Sequence, residues 1–308
     1  MTAAVARRRG VRHRGAATLF LSPAVLLVGG FVLVPVVLTA WISLHEWSMY
    51  TPIGDMQWVG LDNYTGLWTD GAFRSTLWNT LLYTAMVVGL TLPLAFLLAM
   101  LLYFPTVRGR HLVRTILFTT YVVPTVAVAL VWGALYAPEY GPFDQMLGAV
   151  GLDSVGWTSD PDVALFSLAL FNVWQMLGYY TVLLVAGLTQ IPGEVYEAAR
   201  VDGAGAFRQT TSITVPLLRR TFVFVGMIAV INAIQVFDPV YLLTQGGPSD
   251  STNVLTYDIQ RTAFQFGLAG QASAMAMCLL LVLVVVMGSI FGMRRFGVRR
   301  FGVRRALR

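Results

Sequence analysis

Two short sets of polar side chains stand inside otherwise apolar stretches, and their types suit recognition of a solute better than the making of bonds. Asn172, Gln175 and Tyr179 are offset by three and seven residues, which places them on one face of a helix. Asn232, Gln235, Asp238 and Tyr241 follow at intervals of three and sweep slowly round one side of a second helix. Amides, a carboxylate and phenol rings are the chemistry that holds hydroxyl groups and ring faces. An aspartate at the centre of a bilayer costs about 2.5–3.5 kcal/mol on insertion scales, so a residue such as Asp238 marks a cavity or a partner. The two faces are read as lining a common polar path, with hydrogen bonding between helices as the other use of Asn and Gln in membrane bundles. No arginine lies deep in either stretch, so a phosphate finds no charge partner there.

Other chemistry is excluded by what the chain lacks. His13, His45 and His111 are scattered without metal-ligand spacing, and Cys278 is the only cysteine, so neither a metal site nor an intrachain disulfide is expected. All 21 basic residues are arginine. Without lysine the chain cannot carry a GxxxxGK phosphate-binding loop, so any ATP and Mg²⁺ would sit on a separate ATPase, and this chain is expected to be neither an enzyme nor a cofactor protein.

The elements that must position these residues are membrane spans. Apolar residues make up 56% of the chain and charged residues 12%, with a mean hydropathy of +0.69, which describes an integral membrane protein. Six all-α spans are predicted at about 18–44, 77–103, 112–136, 163–190, 217–244 and 271–293, each long enough for about 30 Å of hydrocarbon. The first is much longer than the apolar core of a signal peptide and is read as uncleaved, with Pro35 as a kink. The tails 1–17 and 294–308, the segment around Arg108–Arg114 and the 191–220 segment hold 19 of the 21 arginines. The alternate segments hold only Arg74 and Arg261 and are acidic, which places both termini and residues 191–216 on the cytoplasmic side. None of the outward segments is long enough for a folded outer domain, so solute capture needs another polypeptide.

Residues 194–216 are the most ordered polar interruption. Glu194 and Glu197 suit a helix N-terminus, Ala198 and Ala199 favour helix, Gly203 and Gly205 form a corner between two short helices, and Pro216 marks the hand-over to the next span. Glu197-Ala198-Ala199, Gly203 six residues after the glutamate, and Ile213-Thr214-Val215-Pro216 resemble the cytoplasmic EAA loop of permease subunits of bacterial type I ABC importers. The one departure is Val215, where that family usually has leucine. Thr244-Gln245-Gly246-Gly247-Pro248 is similar to a turn common in its sugar permeases, and the likeness covers most of residues 18–293.

The resemblance implies a multi-pass permease of the cytoplasmic membrane for a sugar or related polyol. It implies a second homologous permease, a dimeric cytoplasmic ATPase and an extracytoplasmic solute-binding protein as partners. Glu197, Ala198, Ala199, Arg200, Asp202, Gly203, Gly205 and Pro216 would couple the chain to the ATPase. The same family also handles glycerol 3-phosphate and glycerophosphodiesters such as glycerophosphocholine. A stand-alone secondary transporter or channel is the alternative class, but the inverted repeats that mark one are not evident. The tail repeats Arg-Arg-Phe-Gly-Val from Arg294 and again from Arg299; a period of five keeps no single helical face, so an extended or disordered segment at anionic lipid headgroups is expected, and not nucleic-acid binding.

Overall fold

The computed structural model describes residues 14–103 and 108–303. Most of the N-terminal tail, residues 104–107 and the last five residues therefore lie outside the description. In chain order, α1 (Arg14–Val28) passes through a π turn at Gly29–Leu33 into α2 (Val34–Ile42). Strands β1 (His45–Glu46) and β2 (Gln57–Trp58) pair antiparallel, with His45 opposite Trp58. Helices α3 (Asp62–Thr69), α4 (Gly71–Tyr103), α5 (Arg110–Val122), α6 (Thr125–Leu135), α7 (Pro142–Ala149) and α8 (Ala164–Leu188) follow. After α9 (Gly193–Val201) and α10 (Ala206–Gln209), a π turn at Thr210–Thr214 leads into α11 (Val215–Ile234). A third π turn at Val240–Thr244, α12 (Leu255–Gln260), a fourth π turn at Arg261–Gln265 and α13 (Ala269–Val303) complete the described chain.

Among the described residues, five helical stretches are long and apolar enough to cross a membrane: Leu19–Ile42, Gly71–Tyr103, Ala164–Leu188, Ala206–Ile234 and Ala269–Ile290. The sixth candidate differs from the single span expected at 112–136. It is two helices, α5 and α6, bent by 98°. The break falls at Val123-Pro124, where the ring of a proline drives the preceding residue out of the helical region; Val123 is extended, at φ −68° and ψ 134°. The span expected at 217–244 also differs, beginning at Ala206 and ending at Ile234. Pro35 and Pro216 do not break their helices because each follows a π turn, which accommodates a residue without an N–H. The basic tail is not extended: α13 runs unbroken to Val303. Arginine is a good helix former, and a helix propagating out of a span needs no new nucleus.

The chain forms two compact units, Met1–Leu67 with Thr262–Met277, and Trp68–Arg261 with Cys278–Arg308. In the first, the Asn63 side chain donates to the carbonyls of Ser43 at 2.9 Å and His45 at 3.0 Å. The His45 ring lies against Trp41 at 4.1 Å and edge-on to Trp58 at 5.0 Å. Gly270 donates its N–H to the Trp47 carbonyl at 3.1 Å.

In the second unit α8 is the hub, packing against α4, α5 and α11. Lipid removes the usual hydrophobic drive between helices, so close approach by small residues has to supply the packing. Ala95 and Ala99 of α4, Ala169 of α8, and Ala229 and Ala233 of α11 are buried in these contacts. A side chain at Gly187 of α8 would run into Thr221 of α11.

Between α6 and α8, residues 136–163 fold around one carboxylate. Asp144 accepts from the Glu139 N–H at 2.8 Å, the Trp157 indole at 2.8 Å, the Val155 N–H at 3.3 Å and the Ser154 hydroxyl. The Ser154 hydroxyl, the Glu139 amide and the other donors hold its pKa down from 3.8 to about 2. Trp157 in turn stacks on Tyr136 at 5.7 Å. The ionised form is therefore the structured one. Asp144→Ala is expected to raise amide exchange at Glu139 and Val155 about tenfold or more at neutral pH, read by hydrogen–deuterium exchange. In the native chain the segment should stay closed above about pH 4 and open as the pH falls toward about 2.

Candidate functional site

The break in the third span builds the local geometry of the candidate site. Pro124 offers no N–H, and the chain turns away before α5 can complete its last hydrogen bonds. Polar side chains fill the gap. The Thr120 hydroxyl donates to the Leu117 carbonyl at 2.8 Å and lies 3.1 Å from the Gln175 carbonyl of α8, while the Gln175 amide donates to the Thr125 hydroxyl at 3.0 Å. The two helices touch at Gly178, where a Cβ would overlap the Leu117 carbonyl. A glycine is required there by space alone.

The structure divides the sequence-predicted polar face of α8. Asn172 and Gln175 are buried, at 7% and 2% exposure; Asn172 lies beside the Tyr83 hydroxyl and Gln175 ties α8 to the broken span. Tyr179 is half-buried and stacks on Tyr121 of α5, with ring centres 4.4 Å apart and planes within 15°. Tyr121 is 39% exposed, so this pair presents an open aromatic face. Tyr180 adjoins it at 5.3 Å, and the exposed Asn232 of α11 donates to the Tyr180 hydroxyl at 3.2 Å. A run of aromatic rings and one amide thus crosses α5, α8 and α11. Sequence reasoning missed Tyr121 and the buried Tyr180; for Tyr121 the one available signal was an aromatic residue three positions before a proline.

The second polar set is not helical throughout. Because α11 ends at Ile234, Gln235 is its C-cap, at φ −94° and ψ 18°, and the spacing of three does not carry Asp238 and Tyr241 around one helix. The chain is held in its new direction by the Thr256 hydroxyl on the Val236 carbonyl. Gln235 and Asp238 are both exposed. Beside them Phe237 stacks on Tyr241 at 5.4 Å, and Tyr257 lies 6.4 Å from each.

Residues 193–214 form a helix, a corner and the start of the next span. On α9 Ala199 is buried, while the side chains of Glu197 and Arg200 are about two-thirds exposed and 4.0 Å apart. Tyr196 anchors the helix through its hydroxyl, 3.0 Å from that of Thr214. Gly203 takes φ +76°, the left-handed conformation that closes a helix, and the Ala204 N–H returns to the Ala199 carbonyl at 2.9 Å. Gly205 has no such need, with φ −66° and open space at its Cβ position, so only Gly203 forms the corner. The second short helix expected after the corner is the opening turn of the next span, which runs from Ala206 through Pro216.

These features define a multi-pass helical transport subunit with one exposed helical corner and one open aromatic face. The model of the family of binding-protein-dependent transport system inner membrane components matches residues 92–300, and the chain belongs to that family. It is a multi-pass protein of the cytoplasmic membrane. Among its relatives, the probable ABC transporter permease protein YurN of Bacillus subtilis is 34% identical over 86% of this chain and 90% of its own. The trehalose/maltose transport system permease protein MalF of Thermococcus litoralis is 34% identical over 77% and 80%. The diacetylchitobiose uptake system permease protein NgcF of Streptomyces coelicolor is 34% identical over 86% and 78%. The fold is shared with a chain of a bacterial alginate ABC transporter, crystallised with its alginate pentasaccharide-bound periplasmic protein, at a TM-score of 0.79, 23% identity and coverage of 91% and 94%.

Gly178→Val is expected to lower the stability of the purified chain by about 1–3 kcal/mol through overpacking against α5. Gly89→Ala on α4, where nothing lies within 4 Å of the new methyl group, should leave it unchanged or slightly raised. Thermal unfolding in detergent, run side by side, checks the pair.

Proposed function

We propose that this chain is the permease subunit of an ATP-driven importer that carries a sugar or related polyol across the cytoplasmic membrane. Its termini and residues 191–216 would face the cytoplasm, in line with the placement of the arginines. In this reading the exposed α9 corner docks on a dimeric ATPase that holds ATP and Mg²⁺. Glu197, Ala198, Ala199, Arg200, Asp202, Gly203, Gly205 and Pro216 make up the docking segment. A second homologous permease completes the path, and an extracytoplasmic solute-binding protein delivers the solute. Closure of the ATPase would move the corner as a rigid body and switch the spans between inward-open and outward-open arrangements.

The observation that carries the substrate class is the open Tyr121–Tyr179 stack with the exposed Asn232 nearby, held by the buried Tyr180. Ring faces and an amide suit the C–H faces and hydroxyls of a saccharide. Relatives named for trehalose, maltose and diacetylchitobiose support the same class. The substrate-path set of Asn172, Gln175, Tyr179, Asn232, Gln235 and Asp238 then has two tasks. Tyr179, Asn232, Gln235 and Asp238 meet the solute, while Asn172 and Gln175 hold the helices that carry them. Helix α8 carries no arginine and α11 carries Arg219 and Arg220 only in its first two turns, so glycerol 3-phosphate would find no charge partner beside Tyr179 or Asn232 on those helices.

Two measurements on the reconstituted complex test the reading. Gly203→Leu should cut uptake at least about tenfold while ATP hydrolysis continues, because a left-handed leucine costs roughly 1–2 kcal/mol and tilts the docked corner; uptake at the native rate would overturn the coupling role. Tyr121→Ala and Tyr179→Ala should each raise the KM for the accepted sugar in a panel of trehalose, maltose and lactose by about three- to tenfold. If glycerol 3-phosphate is the solute accepted, the substrate class is wrong.

A further inference from the structure

Helix α7 (Pro142–Ala149) is too short to be stable in water on its own, and the chain around it fixes it at both ends and along one side. Pro142 opens the helix at a position where a missing N–H costs nothing, and the Gln145 amide donates to the Tyr140 carbonyl at 3.0 Å. Gly151, at φ +77°, closes it: its N–H returns to the Gly148 carbonyl and the Leu152 N–H to the Leu147 carbonyl, both at 3.0 Å. On the inner side Phe143 meets Trp132 of α6 at 5.7 Å and Tyr136, the C-cap of α6, at 5.6 Å. Asp144 is buried among its donors on the same side.

This fixing leaves a defined outer face. At about 100° per residue, Pro142, Met146, Ala149 and Val150 fall within about 100° of one another. All four are exposed, Met146 at 68% and Val150 at 71%. Leu152, held by the closing turn, is exposed at the same end. Glu139 and the buried Asp144 are the only charged residues between Arg114 and Asp153, so the outer face prolongs the nearly charge-free stretch that contains α6.

Two observations select what covers this face. The first is continuity with the bilayer: α6 is half of a candidate membrane span, its Leu130 and Val131 are exposed, and α7 is packed onto its end. The second is the make-up of the patch. A specific protein contact takes about 20–30 residues a side and a polar rim that forms hydrogen bonds. This stripe is a handful of apolar side chains bounded by the exposed acids Glu139 and Asp153. An apolar stripe with polar groups at its margin is what a helix lying in the plane of the membrane boundary presents. Tyr140, 81% exposed where the chain enters α7, is of a type enriched at that boundary.

We infer that α7 is an interfacial anchor whose partner is the bilayer itself. Met146, Ala149 and Val150 enter the boundary between headgroups and acyl chains at the α6 end of the broken span, and hold that end at the membrane surface. The inference does not depend on the transported solute or on the ATPase.

The test uses the full-length chain in phosphatidylcholine bilayers. Cys278→Ala removes the only cysteine, and nitroxide labels are then placed singly through Met146→Cys, Val150→Cys, Gly148→Cys and Asp153→Cys. Gly148 is exposed on another side of α7, with nothing within 4 Å of a new Cβ. Electron paramagnetic resonance gives the collision rate of each label with oxygen, which concentrates in the bilayer, and with a nickel chelate, which stays in water. The oxygen-to-nickel ratio at positions 146 and 150 should be about threefold or more above that at 148 and 153. Leu152→Cys gives the same reading if a label at 146 or 150 prevents insertion. Equal ratios at all the sites overturn the inference. So does shielding of 146 and 150 from both reagents in the chain alone, which would mean that a second copy covers the face. Loss of oxygen access on assembly with the other transporter subunits would assign the face to a protein contact and overturn it as well.

Discussion

Backbone groups inside a bilayer have no water to turn to, and several departures from regular helix among the described residues have a side-chain bond or a π turn beside them. Where Pro124 breaks the third span, the Thr120 hydroxyl bonds the Leu117 and Gln175 carbonyls and the Gln175 amide bonds the Thr125 hydroxyl, which ties both halves of the span to α8. Where α11 stops at Ile234, a hydroxyl from Thr256 meets the Val236 carbonyl. Where Pro35 and Pro216 would have interrupted a helix, a π turn shifts the register and the helix continues. The positions of these repairs decide where the chain can bend, and the bends decide which side chains face outward.

The same constraint separates buried polar groups from open ones. Asn172 and Gln175 are buried on the most central helix, and the Gln175 amide is taken by Thr125, so its polarity serves assembly. The Tyr121–Tyr179 pair is built on top of that assembly and left open. At the other end of α8, the α9 corner follows the same plan, with Ala199 and Tyr196 turned to the protein and Glu197 and Arg200 to solvent.

Much of this was legible in the sequence, because long apolar runs and the Glu-Ala-Ala…Gly pattern are local signals. The helical stretches at 77–103, 163–190 and 271–293 needed only adjustment at their ends. The bend at Pro124 was not legible as a bend, since a proline in an apolar run reads equally as a kink that neighbours absorb, as Pro93 within α4 is absorbed. The spacing Asn232, Gln235, Asp238 looked helical because nothing in those residues announces a stop; beyond the stop lie Pro239, which has no N–H for the Gln235 carbonyl, and the Thr256 hydroxyl on the Val236 carbonyl. The two roles on α8 were likewise out of reach, because one face of a helix can point partly to a neighbour and partly to open space. The five-residue tail repeat was misread through its lack of a face, because a helix leaving a span continues without needing one.

The central place of α8 has a consequence for how such a chain can diverge. Helices α4, α5 and α11 lean on it, α5 through Gly178 and α11 through Gly187, and Gln175 adds a bond to Thr125 of α6, so changes along α8 are felt in several helices. The aromatic stack borrows only one ring from α8 and takes the other from the end of α5. If the proposed aromatic face meets the solute, variation at Tyr121 can change what is accepted with less effect on the scaffold than variation on α8, which makes the bend before Pro124 the evolvable edge of the protein and α8 its archive.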